Sequence, residues 1–230
     1  MSITKKQEEG LRSLLASNAS YVVGVDEVGY GAWAGPLVVV GAVFKKGWGH
    51  PDVKDSKTLS AAKRAAIYPL ILRDCIWWVT LQATPEEIDT KGVYNVLQEL
   101  TKKAAMSCAG FYRESIVVLD GDSTLALPGI EMLAFPKADT LVPAVSAASI
   151  VAKVNRDTAM KQLDKVYPGY GFSRNVGYGT PQHQAGLDKL GPSAIHRKSY
   201  RPIAKAAADF DRKMKANQEM INQVNSDHGY

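Results

Sequence analysis

The part of the sequence that decides the fold reads Tyr21-Val22-Val23-Gly24-Val25-Asp26-Glu27-Val28-Gly29-Tyr30-Gly31. Its first half is a short apolar run rich in valine, which is typical of a buried β-strand. Two adjacent carboxylates close this run, and successive side chains of a strand point to opposite sides of it. Ionised carboxylates at the end of a buried strand are costly without a cation or another partner. The stretch therefore predicts a buried strand that ends in a charged site in need of a partner.

A glycine-rich turn follows the two carboxylates directly, with Gly29, Gly31 and then Gly35-Pro36. Because glycine has no side chain, a ligand such as a phosphodiester can come close to the backbone of such a turn. Carboxylates that hold hard cations beside a phosphate-binding turn indicate metal-dependent phosphodiester chemistry. Taken alone, Asp26 and Glu27 also fit an ordinary strand end whose acids are solvated, because short motifs have many false positives.

Composition and charge limit the classes of protein to which the chain can belong. The chain has 230 residues, of which 46% are hydrophobic and 22% are charged, as is usual for a globular domain with a full core. No apolar run reaches membrane-spanning length, so we expect no membrane contact. The formal net charge of +5 favours polyanions such as nucleic acid as partners. Cys75 and Cys108 lack metal-ligand spacing, which indicates reduced thiols in a cytoplasmic protein, and a monomer is the default expectation.

Hydrophobic periodicity predicts alternating strands and helices, with three early strands followed by helix-strand units. This order predicts an α/β fold with a mixed sheet. After Tyr167 the chain is glycine-rich, and we expect irregular structure until a final helix. A main domain over residues 1–200 and a helical extension over residues 201–230, packed on it or partly frayed, complete the prediction. The predicted strands are 21–25, 37–44, 76–81, 115–119 and a weaker one within 130–135, and the predicted helices are 5–15, 60–72, 92–108, 146–166 and 201–218.

Two later acidic residues extend the pattern of the first strand. Asp120 ends the apolar run 115–119, and Asp139 comes shortly before a predicted helix. If the two strands are neighbours, Asp26 and Asp120 lie at the same edge of the sheet, where α/β folds commonly build their sites. Asp120 could also be a turn former, Asp139 an ordinary loop acid, and Asp122 competes with Asp120 without directly ending the strand. Four converging carboxylates could hold two divalent ions about 4 Å apart, and the candidates are Asp26, Glu27, Asp120 and Asp139.

The sequence resembles the ribonuclease HII family, the type 2 ribonucleases H, in a series of motifs. They occur in the family's order and with plausible spacing across roughly residues 20 to 203. The Val28-Gly29 pair looks more like type HII than like the sister type HIII. The resembling segments are Val25-Asp26-Glu27-Val28-Gly29-Tyr30-Gly31-Ala32-Trp33-Ala34-Gly35-Pro36, Asp55-Ser56-Lys57, Leu119-Asp120-Gly121, Lys137-Ala138-Asp139, Val145-Ser146-Ala147-Ala148-Ser149-Ile150-Val151-Ala152-Lys153-Val154-Asn155-Arg156-Asp157, Tyr167-Pro168-Gly169-Tyr170-Gly171-Phe172, Gly177-Tyr178-Gly179-Thr180 and Ile195-His196-Arg197-Lys198-Ser199-Tyr200.

The resemblance implies a ribonuclease H-like mixed sheet flanked by helices, with a C-terminal helical extension. It implies an endoribonuclease that cuts the RNA strand of RNA–DNA hybrids and incises duplex DNA 5′ of embedded ribonucleotides, leaving 3′-hydroxyl and 5′-phosphate ends. By motif, the catalytic and metal-binding carboxylates would be Asp26, Glu27, Asp120 and Asp139. Two Mg²⁺ or Mn²⁺ ions would activate a water and stabilise the leaving 3′ oxygen.

Recognition of the substrate requires that the protein sense the ribose 2′-hydroxyl, which alone separates RNA from DNA at a given site. In the resembled family a Gly-Arg-Gly turn does this largely through its backbone, helped by a tyrosine of a later motif. The corresponding residues here are Gly29, Tyr30, Gly31 and Tyr178. Because Tyr30 replaces the family's arginine, the backbone amides remain while a cation that would meet the phosphate is lost.

Other residues are weaker candidates for contacts with nucleic acid. Lys57 could meet a backbone phosphate, as could Lys153 and Arg156. The basic run His196-Arg197-Lys198 adds positive charge. The resemblance also implies that Asn95 and Gln98, three residues apart on a predicted helix, touch the DNA strand. Each of these residues could instead belong to an ordinary solvated surface.

Two other functions remain open on the sequence alone. One is a hybrid-binding protein with weak or no catalysis, which the presence of Tyr30 makes conceivable. The other is a nuclease of the same fold that acts on DNA. Four clustered carboxylates argue against a pure binder, because their charge would repel phosphates.

Overall fold

The computed structural model describes residues 3–53 and 56–227, with side chains described up to residue 223. The chain forms two compact units. The first, here called the sheet unit, comprises Met1–Tyr30, Pro36–Ala83 and Gly92–Arg156. The second, here called the helical unit, comprises Gly31–Gly35, Thr84–Lys91 and Asp157–Tyr230. The division into a catalytic domain over residues 1–200 and an extension over residues 201–230 stays a prediction, because compactness does not test where catalysis resides.

A mixed five-stranded sheet forms the centre of the sheet unit. Its order is β3-β2-β1-β4-β5, with β1–β2 and β2–β3 antiparallel and β1–β4 and β4–β5 parallel. This arrangement confirms the predicted mixed sheet, in which three antiparallel strands precede helix-strand units. The strands are β1 (Tyr21–Val28), β2 (Leu37–Lys45), β3 (Trp77–Ala83), β4 (Ser115–Asp120) and β5 (Glu131–Phe135).

The five predicted helices are all present, and the long helix α6 begins three residues earlier than predicted, at Pro143, which suits the first turn of a helix. Four short helices, α3, α5, α7 and α8, were not predicted. The prediction of irregular structure from Tyr167 to the final helix was therefore wrong. A signal for α8 was present, because Thr180 caps it and Pro181 opens it. The helices are α1 (Lys5–Ala16), α2 (Ala61–Asp74), α3 (Pro85–Lys91), α4 (Val93–Phe111), α5 (Ala138–Leu141), α6 (Pro143–Val166), α7 (Phe172–Asn175), α8 (Pro181–Leu190) and α9 (Arg201–Asp227).

Helices cover the sheet and bring the end of β1 against the start of α6. Helix α4 packs on β1, β2 and β3 through an apolar stripe that includes Val96 and Leu100. Gly24 of β1 touches the backbone of α6, since a Cβ atom placed on it would lie 2.2 Å from the carbonyl carbon and oxygen of Ala144. This close approach aligns the last residues of β1 with the first turns of α6.

The helical unit has a core of its own, to which the start of the C-terminal helix contributes. Helix α9 packs against α8, and its Ile203 and Ala206 are buried, whereas its residues 211–223 are exposed. Within the described parts of the chain, no helix is both long and apolar enough to cross a membrane. The buried core residues of this unit include Met160, Tyr170, Phe172, Leu187 and Ile203.

Candidate active site

Four carboxylates share one edge of the sheet. Val25 of β1 lies opposite Leu119 of the parallel strand β4, so Asp26 and Asp120 follow at the same edge, as predicted. Glu27 is the next residue of β1, and Asp139 lies on α5, which follows β5. All four belong to the sheet unit and influence one another electrostatically. The fold therefore brings together the four residues that the sequence singled out.

Asp26 is the most buried strand-end carboxylate of this group, with 7% of its surface exposed. Burial, and then the repulsion from Glu27, raise its pKa well above the usual range. A hydrogen bond from the Ser149 hydroxyl acts in the opposite direction. The Ser149 Oγ lies 2.7 Å from the Ser56 Oγ, so Ser56 can donate to Ser149 while Ser149 donates to Asp26. No role for Ser149 had been predicted, although it lies in a motif of small residues on α6.

One carboxylate oxygen of Asp120 is in a position that a nearby cation would stabilise. Burial, followed by repulsion from Asp139, raises its pKa, while bonds from the backbone amides of Ala138 and Asp139 oppose that shift. Its Oδ1 atom is buried and has no hydrogen-bond partner among the residues that the structure describes. The pKa of Glu27 is also raised, first by burial and then by the charge of Asp120. An unpartnered anionic oxygen surrounded by like charge is unfavourable unless a positive charge compensates it.

Lys57 supplies a positive charge to this edge of the sheet. Its Nζ lies 3.0 Å from Oδ2 of the buried Asp139, while most of its own side chain is exposed. Burial lowers the pKa of Lys57, but the hydrogen bond and charge of Asp139 outweigh this effect and raise it. Asp139 is held from the other side, since the Ser146 hydroxyl donates to its carbonyl oxygen at 2.5 Å. Lys57 thus offsets part of the negative charge, and its contact with a phosphate stays a prediction.

The donor set of this edge fits hard divalent cations, which prefer oxygen ligands. The raised pKa values of Asp26, Glu27 and Asp120 and the unpartnered oxygen of Asp120 all indicate an excess of negative charge. Within residues 3–53 and 56–223, no three histidine, cysteine or acidic side chains stand close enough to surround one ion. The four carboxylates therefore share an electrostatic field without forming a chelate.

The glycine turn after β1 packs on a buried arginine. Gly29 has a φ of 94°, and a Cβ atom on it would lie 2.3 Å from Nε of Arg156. That Nε donates to the carbonyl oxygen of Pro36 at 2.8 Å, and Arg156 is fully buried. The prediction that Arg156 meets a phosphate is therefore wrong, because its guanidinium supports the turn from inside. Tyr30 is 41% exposed, and the space around the Cα of Gly31 is open, so both predicted turn residues are accessible.

Asn95 and Gln98 lie in the first turns of α4. Asn95 is exposed and Gln98 is half-buried, whereas Val96 and Leu100 face the core. Both polar residues therefore lie outside the apolar stripe of the helix, and their contact with a DNA strand stays a prediction.

The remaining predicted residues lie in the helical unit. Tyr178 is 37% exposed in the loop between α7 and α8. His196 and Arg197 are buried, and only Lys198 of this basic run is exposed, so the run adds little positive charge to the surface. Arg197 donates from Nε and Nη2 to the carbonyl oxygen of Gly35 at 3.2 and 3.0 Å. Burial lowers the pKa of His196 to about 4, so its ring is neutral at pH 7.

The buried His196 predicts a loss of stability in acid. An unfolded histidine takes up a proton below about pH 6.5, whereas folded His196 does so only near pH 4. Because the unfolded state binds more protons between these values, the free energy of unfolding falls as pH falls through this window, by on the order of 3 kcal/mol. Urea unfolding at pH 7.0 and pH 4.5 measures the effect, and a His196→Gln variant should lose less stability than the wild type. An identical pH dependence in both proteins would contradict the prediction.

Comparison with known proteins gives a consistent family assignment. A family model for ribonuclease HII matches residues 23–203. The ribonuclease HII of Thermus thermophilus is 42% identical over 190 residues, covering 82% of this chain and 90% of the relative. That of Dichelobacter nodosus is 41% identical over 188 residues, covering 80% and 95%. The crystal structure of ribonuclease H2 from Pyrococcus horikoshii has a TM-score of 0.70 at 28% identity, covering 83% of this chain and 99% of that one.

Proposed function

The chain belongs to the ribonuclease HII family and is an endoribonuclease of ribonuclease H type 2, and from this premise we propose its substrates and mechanism. It hydrolyses the RNA strand of RNA–DNA hybrids and incises duplex DNA 5′ of embedded ribonucleotides. The products carry 3′-hydroxyl and 5′-phosphate ends. The observation that supports the proposal most is the edge of the sheet where four carboxylates influence one another electrostatically and a buried oxygen of Asp120 lacks a partner among the described residues.

The carboxylates would hold two Mg²⁺ or Mn²⁺ ions. When bound, such ions activate a water and stabilise the charge of the leaving 3′ oxygen. The residues of the chain prepare this site: Ser149 orients Asp26 by its hydrogen bond, and the backbone amides of Ala138 and Asp139 orient Asp120. Lys57 offsets the charge of Asp139 and can meet a non-bridging phosphate oxygen at the same edge. The ligands in this proposal are Asp26, Glu27, Asp120 and Asp139.

Sensing of the 2′-hydroxyl is assigned to the turn Gly29-Tyr30-Gly31 and to Tyr178. The support for the turn is its accessibility together with its rigid base, since Gly29 rests on Arg156. Asn95 and Gln98 would follow the DNA strand along the polar side of α4. Recognition then combines backbone amides, one exposed ring and a polar helix surface.

Cleavage of defined duplexes tests this proposal. The substrates are a DNA duplex with a single ribonucleotide, a continuous RNA–DNA hybrid and an all-DNA duplex, each with Mg²⁺ or Mn²⁺. We expect one cut 5′ of the ribonucleotide, several cuts in the hybrid and none in the all-DNA duplex. Cutting of the all-DNA duplex would instead indicate a DNA nuclease of the same fold. Tight binding without cleavage in either metal would favour the hybrid-binding protein.

Replacing Tyr30 by arginine is expected to strengthen binding of the duplex. Tyr30 is exposed, so a longer cationic side chain can reach a phosphate without disturbing the core. We expect KM for the single-ribonucleotide duplex to fall about 3- to 10-fold, with one additional phosphate contact. Because each such contact releases counterions, the salt dependence of log Kd should steepen by about one.

A Tyr30→Gln variant is the matched control, since it removes the ring without adding charge. Its KM should stay at or above the wild-type value. Equal KM values and salt slopes for Tyr30→Arg and Tyr30→Gln would show that position 30 does not meet a phosphate.

A further inference from the structure

Two buried histidines of the helical unit are hydrogen-bonded to each other. His183 and His196 have 0% and 1% of their surface exposed, and their Nε2 atoms lie 2.9 Å apart. A contact of this length between two ring nitrogens requires one proton between them, with one ring donating and the other accepting. The direction of that donation follows from the other two ring nitrogens.

The backbone around the pair determines where each proton lies. The Ser193 backbone N–H points at Nδ1 of His196 from 2.9 Å, and a backbone N–H can only donate, so this Nδ1 carries no proton. Neutral His196 therefore holds its proton on Nε2 and donates it to Nε2 of His183. His183 then has its own proton on Nδ1, which lies 3.0 Å from the carbonyl oxygen of Tyr178 and donates to it. The chain of bonds runs in one direction, from Ser193 through both rings to Tyr178.

The surroundings of the pair favour this neutral state. The ring of Tyr170 lies 4.8 Å from that of His196, and the rings of Phe172 and Trp33 lie 5.2 and 5.6 Å from that of His183, measured between centroids. Burial lowers the pKa of both histidines, and the charge of His183 lowers that of His196 further. An extra proton would reverse one donor and break the chain of bonds.

The end of this chain of bonds is the loop that carries Tyr178. The Tyr178 carbonyl oxygen accepts a second bond from the Thr180 N–H at 2.9 Å, and its amide donates to the Asn175 carbonyl oxygen at 2.9 Å. The preceding Gly177 has a φ of 84°, and a Cβ atom on it would lie 2.3 Å from the carbonyl oxygen of Ala34. The backbone of the loop is thus held from both sides while the Tyr178 side chain remains partly exposed.

We propose that His183 and His196 are positioning residues for ribonucleotide recognition, because together they anchor the Tyr178 carbonyl oxygen and so orient the Tyr178 ring. The inference rests on the proposed role of Tyr178 in sensing the 2′-hydroxyl. The pair acts through the tyrosine and does not itself touch the substrate. A pair that served only to fill the core would affect folding without a specific link to Tyr178.

A double-mutant cycle tests this link. His183→Phe keeps a ring but removes both the donating Nδ1 and the accepting Nε2, and we expect it to lower kcat/KM for the single-ribonucleotide duplex about 10-fold. His183→Asn places an amide N–H near the former Nδ1 and should recover most of that loss. Combined with Tyr178→Ala, His183→Phe should lower kcat/KM less than about 2-fold further, because no ring is left to orient. Thermal unfolding of each variant gives the fraction of folded enzyme.

The outcomes separate this inference from the proposed function. An unchanged kcat/KM in Tyr178→Ala, while the wild type cuts the duplex, would reject the sensing role of Tyr178 itself. If the double variant loses kcat/KM by the product of the losses in Tyr178→Ala and His183→Phe, the positioning role alone is rejected. Failure of His183→Asn to recover activity would also reject it.

A measurement on the unmodified protein covers the case in which His183→Phe does not fold. Nitrogen-15 NMR of the histidine rings at pH 7 should show the proton of His183 on Nδ1 and that of His196 on Nε2. A neutral His183 ring with its proton on Nε2 instead would mean that His183 does not donate to Tyr178 and would overturn the proposal.

Discussion

Replacing Asp26 by asparagine is expected to abolish cleavage and, in the absence of divalent metal, to raise the melting temperature. The carboxylate is buried, and burial together with the charge of Glu27 raises its pKa well above the usual range, so its ionised form destabilises the folded state. Asparagine keeps the shape and still accepts the hydrogen bond of Ser149, but it removes the charge. If Asp26 is a metal ligand as proposed, its loss should reduce kcat by at least about 10²- to 10³-fold, the effect of deleting one strong electrostatic stabiliser.

Single-turnover cleavage and thermal unfolding with and without Mg²⁺ measure both effects. For a chain of this size, about 1 kcal/mol corresponds to a rise in Tm of about 2–4 °C. Mg²⁺ should raise the Tm of the wild type more than that of the variant, since binding to the folded state stabilises it. Asp122→Asn is the matched control, because Asp122 lies two residues beyond the strand-end Asp120 but is exposed and pairs with Lys6. A variant at Asp26 that cleaves normally, or that melts earlier without metal, would contradict this prediction.

Replacing Gly24 by alanine is expected to cause the largest loss of stability. A Cβ atom there would lie 2.2 Å from the carbonyl carbon and oxygen of Ala144 and 2.4 Å from the amide nitrogen of Val145. These are backbone atoms of α6, so no side-chain rotation can relieve the clash, and β1 or the helix must move. We expect the free energy of unfolding to fall by more than about 3 kcal/mol, the upper end of the usual cost of overpacking. The same movement would separate Ser149 from Asp26 and lower activity.

Urea unfolding measures this change, with Gly110→Ala as the matched control. Gly110 lies in α4, and apart from its own helix turn and chain neighbours no atom of the described residues lies within 4 Å of the position its Cβ would take. Alanine there should be neutral or stabilise the protein by up to about 1 kcal/mol, because it reduces the entropy of the unfolded chain. If Gly24→Ala unfolds within about 1 kcal/mol of the wild type, β1 and α6 do not pack as closely as described.

Local patterns in the sequence were sufficient to predict much of the fold. Alternation and apolar runs predicted all five strands, because burial on a sheet imposes a pattern that spans only a few neighbouring residues. They also predicted that Asp26 and Asp120 end apolar strands, and the parallel pairing of β1 with β4 then brings both to one edge. Short helices such as α7 were missed, since four residues cannot show a helical period.

The sequence by itself determined which residues carry charge at strand ends and which segments form strands or long helices. Only the tertiary structure decided which polar residues are buried and what they bond to. Arg156 supports Pro36 across 120 residues of chain, and Lys57 meets Asp139 across 82, so no local window contains both partners. The same holds for the buried pair of His183 and His196, since the sequence placed His196 only in a basic run and indicated no role for His183. The spacing of apolar residues indicates whether one face of a helix or strand is buried or exposed. The hydrogen-bond partner of a residue depends instead on which distant segment packs against that residue.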